Sequence, residues 1–125
     1  MPKKLAHLAG EFALQKKAFD VKILDLRKLS SVCDFFVICS ASVDVHARAI
    51  ADGITESLEE KGISFWHDEG YQASRWILLD YVDVVIHIFL PEVREFYALE
   101  RLWGDAKVEE LSEEMLERKT AEKKR

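Results

Sequence analysis

A chain of 125 residues, 49% hydrophobic and 33% charged, fits one globular domain and leaves little room for two. Its formal net charge of −5 argues against a direct grip on DNA or RNA, which relies on cationic phosphate contacts, and favours a basic protein partner. No stretch reaches the roughly 18 apolar residues of a membrane span, and the segment Met-Pro-Lys-Lys-Leu-Ala-His has no signal-peptide apolar region, so a reducing, cytoplasmic setting is expected.

In chain order, Lys3 to Phe19 has helical spacing of Leu5, Leu8, Ala9, Phe12 and Ala13, with Gly10 as a weak point. Val21 to Leu26 alternates as a half-covered strand. Asp34 to Ser40 is a continuous apolar run that suits a central strand buried on both faces. Ser42 stands where an N-cap would, before a helix from Val43 to Lys61 that Gly62 ends. Ile63 to His67 reads as a short strand and Asp68 to Ser74 as a loop.

A hairpin follows. In its first strand Trp76, Leu78 and Asp80 point one way and Ile77, Leu79 and Tyr81 the other. An aspartate does not suit a buried face, so the Trp76 side is the candidate for exposure. Its second strand, Val84 to Leu90, is apolar except for His87 and reads as core. Pro91 opens a last helix carrying Val93, Phe96, Leu99, Leu102 and Trp103, and Gly104 stops it. Residues 106–125 are rich in Glu and Lys and read as a charged tail, a marginal helix or disordered, outside a domain of residues 1–105. The order α-β-β-α-β-β-β-α implies an α/β fold with a mixed sheet of about five strands.

The chemistry-bearing motifs are sparse. Nucleotidyl transfer needs paired carboxylates to hold its cations, and the chain has no acidic-x-acidic triplet. It has no Walker loop and no GxGxxG. Cys33 and Cys39 stand in no zinc-ligand pattern. Pairing of Cys33 with His46 or His67 has no local support, and Ser40-Ala41-Ser42 reads as capping before phosphate binding. His67-Asp68-Glu69 reads as a solvated loop, since neighbouring side chains diverge. No catalytic residue, metal or cofactor is therefore assigned. Binding fits better. Trp66, Tyr71, Trp76 and Tyr81 crowd one region beside Asp68, Glu69, Asp80 and Asp83, and aromatic anchors with carboxylates suit a partner carrying Arg or Lys.

The hairpin and the helix after it carry a resemblance. Trp76-Ile-Leu-Leu-Asp80-Tyr81-x-Asp83-Val-Val-x-His87-x-Phe89 and Arg94-x-Phe96-Tyr97-x-Leu99-Glu100-x-Leu102-Trp103 resemble the ribosomal silencing factor family, also called Iojap or RsfS. Lys22-Ile-Leu-Asp25-Leu and Asp34-Phe-Phe-Val-Ile add to the match, which spans about residues 5 to 105. The resemblance implies a nucleotidyltransferase-like fold without catalytic carboxylates. It implies a translational repressor that binds the large ribosomal subunit through its universal protein fourteen, a basic protein. The bound factor keeps the small subunit away when nutrients are scarce. Some relatives act instead in large-subunit assembly, and the family self-associates, so a homodimer is expected in the free state. The residues expected to meet the partner are Trp76, Leu78, Asp80 and Tyr81, with Asp68, Glu69 and Asp83 as weaker electrostatic contacts. Tyr97, Glu100 and Trp103 are expected to fix the last helix on the sheet.

Overall fold

A computed structural model describes residues 2–115 of the chain. Helix α1 (Pro2–Gln15) buries Ala6, Ala9, Gly10, Ala13 and Leu14. This line of mostly small residues lets the helix lie close to its neighbours. A Cβ on Gly10 would collide with Cδ1 of Leu111, so the glycine that weakens the helix also admits a tertiary contact. The helix ends before Phe19, because Lys17 adopts a left-handed turn (φ 67°) that sends Phe19 into the first strand.

The chain then forms β1 (Phe19–Asp25), β2 (Phe35–Ser40), α2 (Asp44–Glu60), β3 (His67–Glu69), β4 (Trp76–Asp80), β5 (Val84–Phe89), α3 (Pro91–Tyr97), α4 (Leu99–Leu102) and β6 (Lys107–Leu111). The strands make one mixed sheet in the order β3-β4-β5-β2-β1-β6, with β2 and β5 its parallel pair. The α/β architecture is as expected, with six strands in place of five.

The sixth strand corrects the expectation of a helical or disordered tail from residue 106, and the sheet carries the domain to at least Leu111. Glu and Lys favour helix when isolated. Here they line a solvent-facing edge strand, where charge blunts pairing with other chains. His7 meets Glu109 at 2.6 Å, and Lys22 lies 3.9 Å from Glu110. Residues 116–125, on which the rest of that expectation falls, lie outside the described residues.

Two smaller expectations shift. Val43, not Ser42, is the N-cap of α2, and it makes no side-chain cap bond. Ser42 instead gives its N–H to Nδ1 of His46 (2.9 Å), whose Nε2 donates to the Lys16 carbonyl (2.7 Å) and ties α2 to the end of α1. The strand placed at Ile63–His67 forms at His67–Glu69. Ile63 and Phe65 pack on the core as connection, and Asp68 and Glu69 are strand residues.

The two faces of the sheet are covered unequally. Helices α1 and α2 lie on one, over Val21, Ile23, Val37, Cys39, Ile77, Leu79, Ile86 and Ile88. The other carries a smaller cluster, Leu24, Leu26, Cys33, Ile38, Phe89 and Val93, against which Leu99 and Trp103 pack. The last helix is broken in two at Ala98 (φ 47°), so Val93 is buried while Phe96 and Leu102 stay 80% and 73% exposed. Arg94 is buried beneath this break. Its Nη1 donates to the Asp20 carbonyl and to Oγ of Ser40, both at 2.8 Å, and its Nη2 donates to Glu100 at 2.6 Å.

Candidate functional site

Cross-strand neighbours share a face, so the ladder register shows what the less covered side presents. One row reads Leu24, Phe36, Val85, Asp80, His67 from β1 to β3. The next reads Lys22, Ile38, His87, Leu78, Glu69, and a third Ser40, Phe89, Trp76. Phe36, Val85, Leu78, Asp80 and Trp76 are half-buried, and His67 and Glu69 are exposed. The β4–β3 end of this face is thus an apolar surface edged by carboxylates.

Of the seven expected contact residues, four meet here: Trp76, Leu78, Asp80 and Glu69. The other three do not join them. Tyr81 is 7% exposed within the helix-covered core, edge-on to Phe65, with its hydroxyl unpaired among the described residues and pushed up to about 12 by burial. Strand alternation puts it with Ile77 and Leu79, so its expected contact role is corrected. Asp68 pairs with Leu79 and so faces the helix side of the edge strand. Asp83 sits in the β4–β5 turn at the end of the sheet, where its carbonyl accepts the N–H groups of Asp34 and Phe35.

Asp80 has a double task. Its Oδ1 accepts the Val82 N–H at 2.8 Å, which steadies a turn in which Val82 has φ 73°. Glu69 bonds His67 at 2.9 Å, and this carboxylate holds the imidazolium above its usual range. Gly70 (φ 80°) follows because a Cβ there would strike the Trp76 carbonyl. The loop after it is fixed by buried Ser74, which bonds Tyr71 and Arg48. Tyr71 leaves the region altogether and donates to Asp52 on α2 (3.0 Å).

Trp76 belongs to both surface and packing. Its ring lies 4.8 Å from Phe89 and 4.8 Å from Tyr97, and its Nε1 donates to Nδ1 of His87 at 3.1 Å. Removing it disturbs the fold as well as the face. Tyr97, expected to be structural, is 50% exposed over Trp76 and widens the apolar surface. Trp103 matches its structural expectation, since it sits edge-on to Phe36 at 6.0 Å and packs on the second cluster. Phe36 and Val85 are not legible as face residues in the sequence, because a fully apolar run does not show which side is left bare. The register partner of Asp80 supplies that signal.

Burial pushes His87 down from the ordinary 6.5 to about 4. In the unfolded chain it takes up its proton near the ordinary value, so between those two pH values the unfolded state binds more protons. The contribution is complete above about 6.5 and is lost as the pH falls toward about 4. Urea midpoints of wild type and His87→Asn between pH 7 and 4 should therefore converge or cross, the wild type losing up to about 3 kcal/mol relative to the variant. Parallel pH profiles would contradict the buried neutral imidazole.

Reactive chemistry finds little support among these groups. Ser40 Oγ is held by Arg94, the Ala41 N–H by the Phe89 carbonyl, and the Ser42 N–H by His46. That leaves no amide cradle for phosphate at this turn. Burial pushes Cys33 up to about 11, away from a reactive thiolate, and Cys33 lies in the cluster on the opposite side of the sheet from α2 and its His46. Among the described residues, no three His, Cys, Asp or Glu are placed to hold a metal, and no helix is long and apolar enough to cross a membrane.

Comparison with known proteins adds the lineage. The family model described as "Ribosomal silencing factor during starvation" matches residues 1–125. Ribosomal silencing factor RsfS of Bacillus subtilis is 38% identical over 109 residues, which cover 87% of this chain and 92% of that protein. A crystal structure of a Chromobacterium violaceum protein superposes with a TM-score of 0.81 at 32% identity, covering 83% of this chain and 87% of the other. The mouse protein named "Mitochondrial assembly of ribosomal large subunit protein 1" is 32% identical over 92 residues, 71% of this chain and 40% of its own length.

Proposed function

The chain belongs to the ribosomal silencing factor family, and from that premise we propose that it represses translation by binding the large ribosomal subunit and keeping the small subunit from joining. The observation that carries the reading is the half-covered face with Trp76, Leu78, Asp80 and Glu69, apolar at its centre and acidic at its edge. Such a face suits a basic protein, and the partner is the universal protein fourteen of the large subunit. The mechanism is steric. A domain of this length has a radius of gyration of roughly 13–14 Å, enough to hold two flat surfaces apart when seated at their rim. No bond is made or broken, and repression follows occupancy, which serves a cell short of nutrients. In the free state we infer a homodimer, since a half-covered apolar face favours self-association in water.

The test is co-sedimentation with purified large subunits at low salt, followed by subunit joining measured on sucrose gradients. The protein should pellet with large subunits and reduce the joined fraction in proportion to its occupancy. Protein left in the supernatant at micromolar concentration would defeat the proposal. Pelleting without any effect on joining would favour a second reading, a role in large-subunit assembly, for which the name of the mouse relative speaks.

A further inference from the structure

We infer that His87 is a positioning residue for the docking face: its Nδ1 holds the Trp76 indole in an orientation that turns carbon, and not the N–H, toward the partner. The inference rests on the reading of that face as the partner-binding surface.

His87 is 3% exposed in a strand of Val, Ile and Phe, opposite Leu78 on β4 and Ile38 on β2. An apolar residue would pack there without losing the hydration of a polar ring. The rings around it are Phe36 at 4.5 Å, Trp76 at 5.9 Å and Phe89 at 6.0 Å. Of these neighbours, Trp76 alone has a polar atom, and it donates to Nδ1 at 3.1 Å. Because Nδ1 accepts, the proton of the neutral ring is on Nε2, and Nε2 has no hydrogen-bond partner among the described residues. One nitrogen is thus left unsatisfied in a buried site while the other serves the indole. That imbalance marks the hydrogen bond to Trp76 as what the histidine supplies.

The consequence lies on the half-buried side of the tryptophan. The indole has one polar atom, and it is turned inward to a buried acceptor. Phe89 and Tyr97 hold the ring from two other directions, each at 4.8 Å. The ring is fixed before docking, so no rotamer freedom is lost when the partner arrives. The exposed part of the indole offers the partner no donor, with Glu69 on the diagonal position of the neighbouring strand and Asp80 at the far end of β4. That combination takes an aliphatic or cationic side chain, a lysine or arginine stem laid against the exposed part of the ring with its charge toward Glu69.

Three substitutions separate positioning from packing. His87→Asn keeps an acceptor one bond beyond Cγ, where Nδ1 stands. His87→Gln moves it one bond outward, and His87→Phe keeps the ring and removes it. Indole N–H exchange in ¹⁵N-labelled protein reports Trp76 directly, its resonance being assigned by its loss in Trp76→Phe. The expected result is slow indole exchange in wild type and His87→Asn, and fast exchange in His87→Gln and His87→Phe. Large-subunit affinity should fall about five- to tenfold in the latter two, the scale of immobilising one side chain. In a Trp76→Phe background His87→Phe should cause no further loss. Slow exchange in folded His87→Phe would overturn the inference, as would fast exchange with unchanged affinity. A control, Leu78→Arg, tests the face itself. If that variant binds large subunits normally, the docking reading fails, while the exchange data still decide whether His87 fixes the indole.

Discussion

Leu78→Arg is expected to fold as the wild type does and to lose at least about a hundredfold in affinity for large subunits, the scale of a central interface residue replaced by a charge of the partner's own sign. Leu78 is half-buried on β4, across from His87 on one side and Glu69 on the other. An arginine there can extend to the exposed edge and meet Glu69 or Asp80, so the fold tolerates it. Asp80→Asn is the milder companion. It keeps the oxygen that accepts the Val82 N–H and removes the charge, so stability holds while affinity drops and becomes less sensitive to salt. Pelleting at two salt concentrations, with thermal melts alongside, reads both variants. Wild-type affinity in Leu78→Arg would remove this face from the interaction.

The sequence showed this face because strand alternation is strict. Trp76-Ile-Leu-Leu-Asp80 has one side with an aspartate and one without, and the ladder places them as that pattern requires. The same rule put Tyr81 with Ile77 and Leu79. Its place among the contact residues came from the resemblance and from the habit of tyrosine at interfaces, not from alternation. What was not legible depended on neighbours distant in the chain. Lys107–Leu111 is a strand because β1 offers it an edge, and its own residues favour helix. The break at Ala98 has no glycine or proline to announce it. Without it, Phe96 and Leu102 read as one apolar stripe with Val93. The hydrogen bond from Trp76 to His87 joins a diagonal pair across two strands, so it requires the register as well as the pattern.

Arg94→Met should cost about 3 kcal/mol and lower the melting temperature by roughly 10 °C, because the arginine joins three parts of the chain, the start of β1, the end of β2 and α4. Asp20 has a left-handed backbone (φ 50°) at the irregular start of β1, and its carbonyl is held by the Arg94 Nη1. Ser40 ends β2 with its hydroxyl on the same nitrogen. Glu100 stands in the first turn of the short α4, and its hydrogen bond to Arg94 holds its carboxyl below the usual range. Methionine keeps much of the stem volume but leaves the Asp20 carbonyl and the Ser40 hydroxyl without their donor. Glu100 is part-exposed, so water recovers some of its loss and the cost stays below that of a fully buried ion pair. Adding Glu100→Gln to Arg94→Met should recover less than half, since the two orphaned oxygens on Asp20 and Ser40 remain. The proposed docking face follows the fold. Tyr97 lies between Arg94 and Glu100, so loosening that bridge loosens the ring over Trp76, and large-subunit affinity should fall even where the protein is still folded. A melting temperature within about 2 °C of wild type would show that packing around Val93, and not the arginine, holds α3 and α4 to the sheet.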